Sequence, residues 1–71
     1  MNGNEFLRKI KTLGKERDVA VRFDERHGKG SHGRLFYGER FTTLKDRKKE
    51  IGPGLYRAML TQLGLTPDDI K

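Results

Sequence analysis

Arg34-Leu35-Phe36-Tyr37-Gly38-Glu39-Arg40-Phe41-Thr42-Thr43-Leu44 is the stretch whose reading decides the fold. Two runs rich in aromatic and β-branched residues flank Gly38-Glu39, a pair suited to a tight Gly-X turn. The stretch therefore reads as a hairpin with strands over 34–37 and 40–44. A two-residue loop pairs Tyr37 with Arg40 and Phe36 with Phe41. The two-residue period of a strand then sets His32, Arg34 and Phe36 on one face and Leu35 and Tyr37 on the other. Both faces carry apolar residues, so the pattern leaves open which one is the core, and a bulge near Gly33 would shift the count.

Upstream of the hairpin, Val19-Ala20-Val21-Arg22-Phe23 alternates as a third strand, with Val19, Val21 and Phe23 on its buried side. Residues 24–30 are polar and punctuated by glycine, which reads as a loop. Before the strand, Phe6, Leu7, Ile10 and Leu13 recur with helical spacing. Asn2 or Asn4 is the candidate cap, Glu5 suits the positive end of the dipole, and the helix ends at Gly14 or near Arg17-Asp18. Downstream, the charged run Lys45-Asp46-Arg47-Lys48-Lys49-Glu50 connects to a second helix opened by Gly52-Pro53-Gly54. Leu55, Met59 and Leu63 form its expected spine, and Gly64-Leu65 its Schellman end. Thr66-Pro67-Asp68-Asp69 starts a last short turn, and Ile70 tucks back towards the core.

These elements predict one α+β domain over residues 1–71, ordered α-β-β-β-α. A three-stranded antiparallel sheet covered on one face by two helices buries the apolar stripes economically. That order is the one found in double-stranded-RNA-binding domains. A 71-residue chain with 32% hydrophobic residues buries only about 60% of its unfolded surface, so the core is small. The chain has no cysteine, which removes disulfides and thiolate metal sites and suits a reducing compartment. No apolar run approaches the roughly 20 residues that span a bilayer, and no secretory leader pattern opens the chain. The expectation is a cytoplasmic protein with no membrane partner.

Sixteen Lys and Arg stand against ten Asp and Glu, a net charge of +6. An excess of this size in a small domain favours polyanions, nucleic acid first. The chemistry concentrates in Gly28-Lys29-Gly30-Ser31-His32-Gly33-Arg34. His32 is the candidate acid-base group, since imidazole gives and takes protons near neutral pH. Lys29, Arg34 and the free N–H groups of a glycine-rich turn would stabilise charge on a phosphorane. Ser31 is not read as a nucleophile, because neighbours on a strand point to opposite faces and no triad partner is in view. Its hydroxyl suits the turn instead. His27, His32 and Asp24 match no tight ligand spacing, so no metal is expected. His27 reads as exposed or as a second proton carrier. Tyr37 is a phosphate-contacting hydroxyl, a stacking ring or a half-buried strand aromatic. Lys45, Arg47, Lys48 and Lys49 are a phosphate-binding cluster or an ordinary solvated loop. The G-x-x-x-x-G-K-[ST] spacing of nucleotide-binding loops is missing.

Two segments give the chain a family resemblance. Lys29-Gly30-Ser31-His32 before an aromatic strand, and Lys48-Lys49-Glu50-Ile51-Gly52-Pro53-Gly54-Leu55 running on through Met59-Leu60 to Gln62-Leu63-Gly64-Leu65, resemble the HicA family. These are YcfA-like mRNA interferase toxins of type II toxin–antitoxin systems. The resemblance covers most of the chain. It implies a fold like the double-stranded-RNA-binding domain, metal-independent endoribonuclease cleavage of mRNA without a cofactor, and neutralisation by a HicB-like antitoxin in a hetero-oligomer. The family's catalytic histidine follows Gly-Ser and maps onto His32. The expected substrate contacts are Lys29, Ser31, Arg34, Tyr37, Lys45, Lys48 and Lys49. Many relatives carry a second histidine directly afterwards, where this chain has Gly33, so that imidazole's role does not carry over. The alternative is a non-catalytic RNA- or DNA-binding module using the same basic surface.

Overall fold

In a computed structural model, which describes residues 1–25 and 32–70, the chain runs α1 (Gly3–Arg17), β1 (Val21–Asp24), β2 (Gly33–Tyr37), β3 (Arg40–Leu44) and α2 (Pro53–Leu63), then a 3-10 turn over Pro67–Ile70. The expected α-β-β-β-α order is present. The strands form one antiparallel sheet in the order β1-β2-β3. His27, Lys29 and Ser31 lie outside the described residues.

The hairpin closes as its sequence dictates. Tyr37 faces Arg40, Phe36 faces Phe41 and Gly33 faces Leu44. Gly38 has a φ of 62°, while Glu39 is not in the left-handed region. Glycine alone at the first loop position is the pattern of a type II′ turn, whose twist matches that of the strands. The Gly38 N–H also donates to the carbonyl of Ala20 at 2.8 Å, tying the turn to the segment entering β1. On that side, β1 starts at Val21, two residues later than the alternation of Val19, Val21 and Phe23 predicts. Asp18 takes the left-handed conformation (φ 56°, ψ 45°) and its N–H caps Gly14, so residues 19–20 serve to turn the chain out of α1.

The helical face of the sheet is the core face. Leu35, Leu44 and Thr42 from the sheet meet Phe6, Ile10 and Leu13 of α1 and Met59, Leu60 and Leu63 of α2, all buried. The Thr42 hydroxyl donates to the side-chain oxygen of Gln62, so this buried hydroxyl is satisfied. In α2 the expected spine is corrected. Leu55 is 53% exposed and Leu60 is fully buried. The packed stripe is Tyr56, Met59, Leu60 and Leu63, with the Tyr56 ring edge-on to Phe6 at 6.0 Å.

The helix ends follow their local chemistry. Asn2 caps α1 with a full capping box: its side-chain oxygen accepts from the Glu5 N–H at 2.9 Å, and the Glu5 carboxylate accepts from the Asn2 N–H. Gly64 (φ 76°) ends α2, and the Leu65 N–H donates to the Leu60 carbonyl at 2.8 Å in the Schellman pattern. Leu65 and Ile70 are both buried. The start of α1 is stapled to the connector after β3, because Asn4 N–H donates to the Arg47 carbonyl at 3.0 Å and Ile51 N–H to the Met1 carbonyl at 2.9 Å.

Asp69 fastens the last turn. Its carboxylate accepts from Arg17 at 2.6 Å and from the Thr66 N–H at 2.7 Å. The Arg17 guanidinium, and then the Thr66 N–H, hold the Asp69 carboxyl below its ordinary value, and Asp69 in turn raises Arg17. A depressed carboxyl contributes stability above its unfolded pKa of about 3.9 and loses it as pH falls through the folded value. Asp69→Asn therefore lowers the melting temperature at pH 7, and the gap to the parent narrows progressively as the pH of the melt falls below about 4.

Gly14 and Gly54 give a matched test of packing against propensity. A Cβ on Gly14 would collide with the Val21 side chain and lie 2.7 Å from the Val19 carbonyl oxygen, while one on Gly54 meets nothing within 4 Å. Gly14→Ala loses about 1–3 kcal/mol to overpacking despite its better helix propensity. Gly54→Ala gains up to about 1 kcal/mol. Urea denaturation of both variants reads the two signs.

Candidate functional site

His32 sits one residue before β2, where Gly33 pairs with Leu44, and its side chain is exposed. It lines an open cleft of about 260 Å³ between the end of β3, the connector and the start of α2. Lys45 and Lys49 stand on the same cleft, and Leu44, Ile51, Leu55 and Met59 supply its apolar wall. The exposed Leu55 is thus explained by its place at the cleft. Two carboxylates also reach this cleft, but each is engaged. Asp46 accepts from the Lys48 N–H at 3.0 Å, and Glu50 pairs with the amino group of Met1. An imidazole beside two cations, above an apolar wall, suits an anionic ligand carrying a flat or apolar part.

The connector holds this arrangement by its backbone. Besides the two staples to α1, it forms a bridge between Asn2 and Glu50. Arg47, between the cleft lysines, points the other way: its guanidinium pairs with Glu25 at 3.2 Å and lies 5.1 Å from the Phe23 ring centroid. Lys48 is exposed and lines a separate cleft with Asn4, Asp46 and Arg47. Of the connector's four cations, only Lys45 and Lys49 line the cleft with His32.

The remaining candidates divide by strand parity. Arg34 is exposed on the open face of the sheet, the face that period two also gives His32. Tyr37 lies on the opposite face, half-buried against the core, where it adds a smaller contribution to raising Arg17. The structure does not bring Tyr37 to His32. Lys29 and Ser31 lie outside the described residues. Among the described residues there is no group of three or more His, Cys, Asp or Glu able to hold a metal, and no helix is long and apolar enough to cross a membrane.

Sequence reading alone missed the row Arg22, Phe36 and Phe41. These three stand opposite one another across β1, β2 and β3 on the open face. The Arg22 guanidinium lies 4.1 Å from the Phe36 ring centroid, Arg34 lies 5.0 Å from that of Phe41, and the two rings are 5.6 Å apart. The tight turn already paired Phe36 with Phe41. The missing signal was that Leu35, not Phe36, faces the helices.

No protein-family model, curated protein or solved structure matches the chain.

Gly33, next to His32, is closed to any side chain. It is buried, and a Cβ there would lie 2.7 Å from the Asp24 carbonyl oxygen and 2.7 Å from the Phe23 ring. The sheet backbone has no room to give at this position. Gly33→Ala loses about 1–3 kcal/mol in urea denaturation, and Gly33→His loses more.

Proposed function

We propose that this protein is an endoribonuclease that cleaves mRNA with His32 as its general acid-base group, acting as the toxin of a type II toxin–antitoxin pair. The observation that carries the reading is the exposed imidazole of His32 on one cleft with Lys45 and Lys49. In the reaction the 2′-hydroxyl of the RNA attacks the adjacent phosphorus. The O2′–P bond forms, the P–O5′ bond breaks, and the 2′ proton passes to water. His32 gives the proton that the leaving 5′-oxygen needs, a role worth about 10²–10⁴-fold in rate. Lys45 and Lys49 offset the charge that grows on the phosphorane oxygens. No step calls for a metal or cofactor.

The two segments resembling HicA toxins, and a net charge of +6, support the assignment of mRNA as substrate. The same charge favours an acidic, HicB-like antitoxin that covers His32 and its neighbouring cations, since complementary fields speed association. Messenger RNA and such a partner place the protein in the cytoplasm. Lys48 and Arg34 lie off the cleft and serve the flanking RNA.

Incubating the protein with a labelled RNA and resolving the product ends tests this reading. Cleavage leaves 2′,3′-cyclic phosphate ends and persists in a chelator. His32→Ala melts like the parent, because the side chain is exposed, and cleaves about 10²–10⁴-fold more slowly. A folded His32→Ala variant that cuts at the parent's rate overturns the assignment. Salt-sensitive binding without any scission, with a slope of about −0.7 per phosphate contact on single strands, would establish the non-catalytic binding module instead.

A further inference from the structure

We propose that the open face of the sheet is a stacking platform that binds unpaired bases of the RNA flanking the cut. The observation is the row of Arg22, Phe36 and Phe41 across the three strands, with Arg34 beside it. Phe41 is 44% exposed, although a phenyl ring on a sheet this small would gain from burial. Both rings lie on the face away from the helices, where the described chain supplies no covering element. Two guanidinium groups already stack on them, at 4.1 and 5.0 Å.

The occupant follows from that chemistry. A purely apolar partner would desolvate both guanidinium groups, and Arg22 has only a long contact to Asp24, at 3.5 Å, to offset its charge, which is costly. A duplex shows its phosphates and hides its base faces, so it has no use for an exposed phenyl ring. Single-stranded nucleic acid offers both complements at once. Its bases stack on aromatic rings and on guanidinium planes, and its phosphates pair with the same cations. Phe41 takes one base, the Arg22–Phe36 pair presents a second plane, and Arg34 stands where the backbone passes. The choice of RNA rests on the cleavage reading, because His32 stands one residue before the strand that carries Arg34 and Phe36 and its chemistry needs a 2′-hydroxyl. Thr43, opposite Arg34 on the open face, also lines the cleft, so the platform and the cleft adjoin at the end of β3.

The test measures binding of a fluorescent, unstructured oligoribonucleotide to His32→Ala protein, which leaves the strand intact. Adding Phe41→Ala weakens binding by about five-fold to a hundred-fold, the range one base–aromatic stack supplies. Adding Phe41→Leu, which keeps apolar area but removes the π-face, weakens it similarly. Duplex RNA of the same length changes less than about two-fold, since its base faces are closed. Unchanged single-strand binding by Phe41→Ala, parental binding by Phe41→Leu, or equal losses on duplex and single strand each overturn the platform. The two proposals separate cleanly. If the parent protein leaves RNA uncut while Phe41→Ala still weakens single-strand binding, the platform stands and the nuclease falls. If the parent cuts RNA and Phe41→Ala binds unchanged, the nuclease stands and the platform falls.

Discussion

The register of the β2–β3 hairpin decides which half of the sheet is core and which half meets solvent. Gly38 is the residue that fixes it, since its positive φ lets a two-residue loop close with Tyr37 opposite Arg40. A slip of one residue would set Phe36 opposite Thr42 or Phe41 opposite Leu35, turning one strand's core residues out to solvent while the other's stayed beneath the helices. The hydrogen bond from Gly38 to Ala20 extends the same constraint to β1. One glycine thus governs the pairing of all three strands.

The cleft beside His32 depends on a different economy. A connector of six charged residues has little apolar surface with which to hold itself. Backbone hydrogen bonds to the first turn of α1 hold it instead, with the closely packed Gly3, whose Cβ would lie 2.7 Å from the Arg47 Cα. Arg47 spends its charge on Glu25 and the Phe23 ring, which anchors the loop without drawing on Lys45 or Lys49. Asp46 and Glu50 are likewise turned to structural partners. Among the six, two lysines are left facing the cleft.

Much of this was legible in the residues. Alternation and turn chemistry are short-range signals, so the element order, the hairpin pairing, the Asn2 cap and the Gly64-Leu65 end could all be read locally. The failures are non-local. Leu55 and Leu60 are both leucines on α2, and both fit an apolar helix stripe of some phase. Only the position of α2 over β3 selects Leu60 for burial and leaves Leu55 at the cleft. Val19 fits the alternation of β1, but the left-handed Asp18 uses residues 19–20 to reverse the chain. The grouping of His32 with Lys45 and Lys49 needs the sheet end and the connector together, which no window of sequence contains. Tyr37 was separated from His32 by parity alone, which the sequence carried all along.

The staples between residues 1–4 and 47–51 also bear on how the chain acquires its shape during synthesis. The first helix emerges from the ribosome well before the connector that completes its packing, and the hairpin closes locally in the interval. Contacts between segments so distant in sequence form late, after loop-closure entropy has been overcome. The geometry of the cleft is therefore among the last features of the nascent protein to be set. A polypeptide still under translation presents its basic side chains before the cleft that gathers Lys45 and Lys49 has formed.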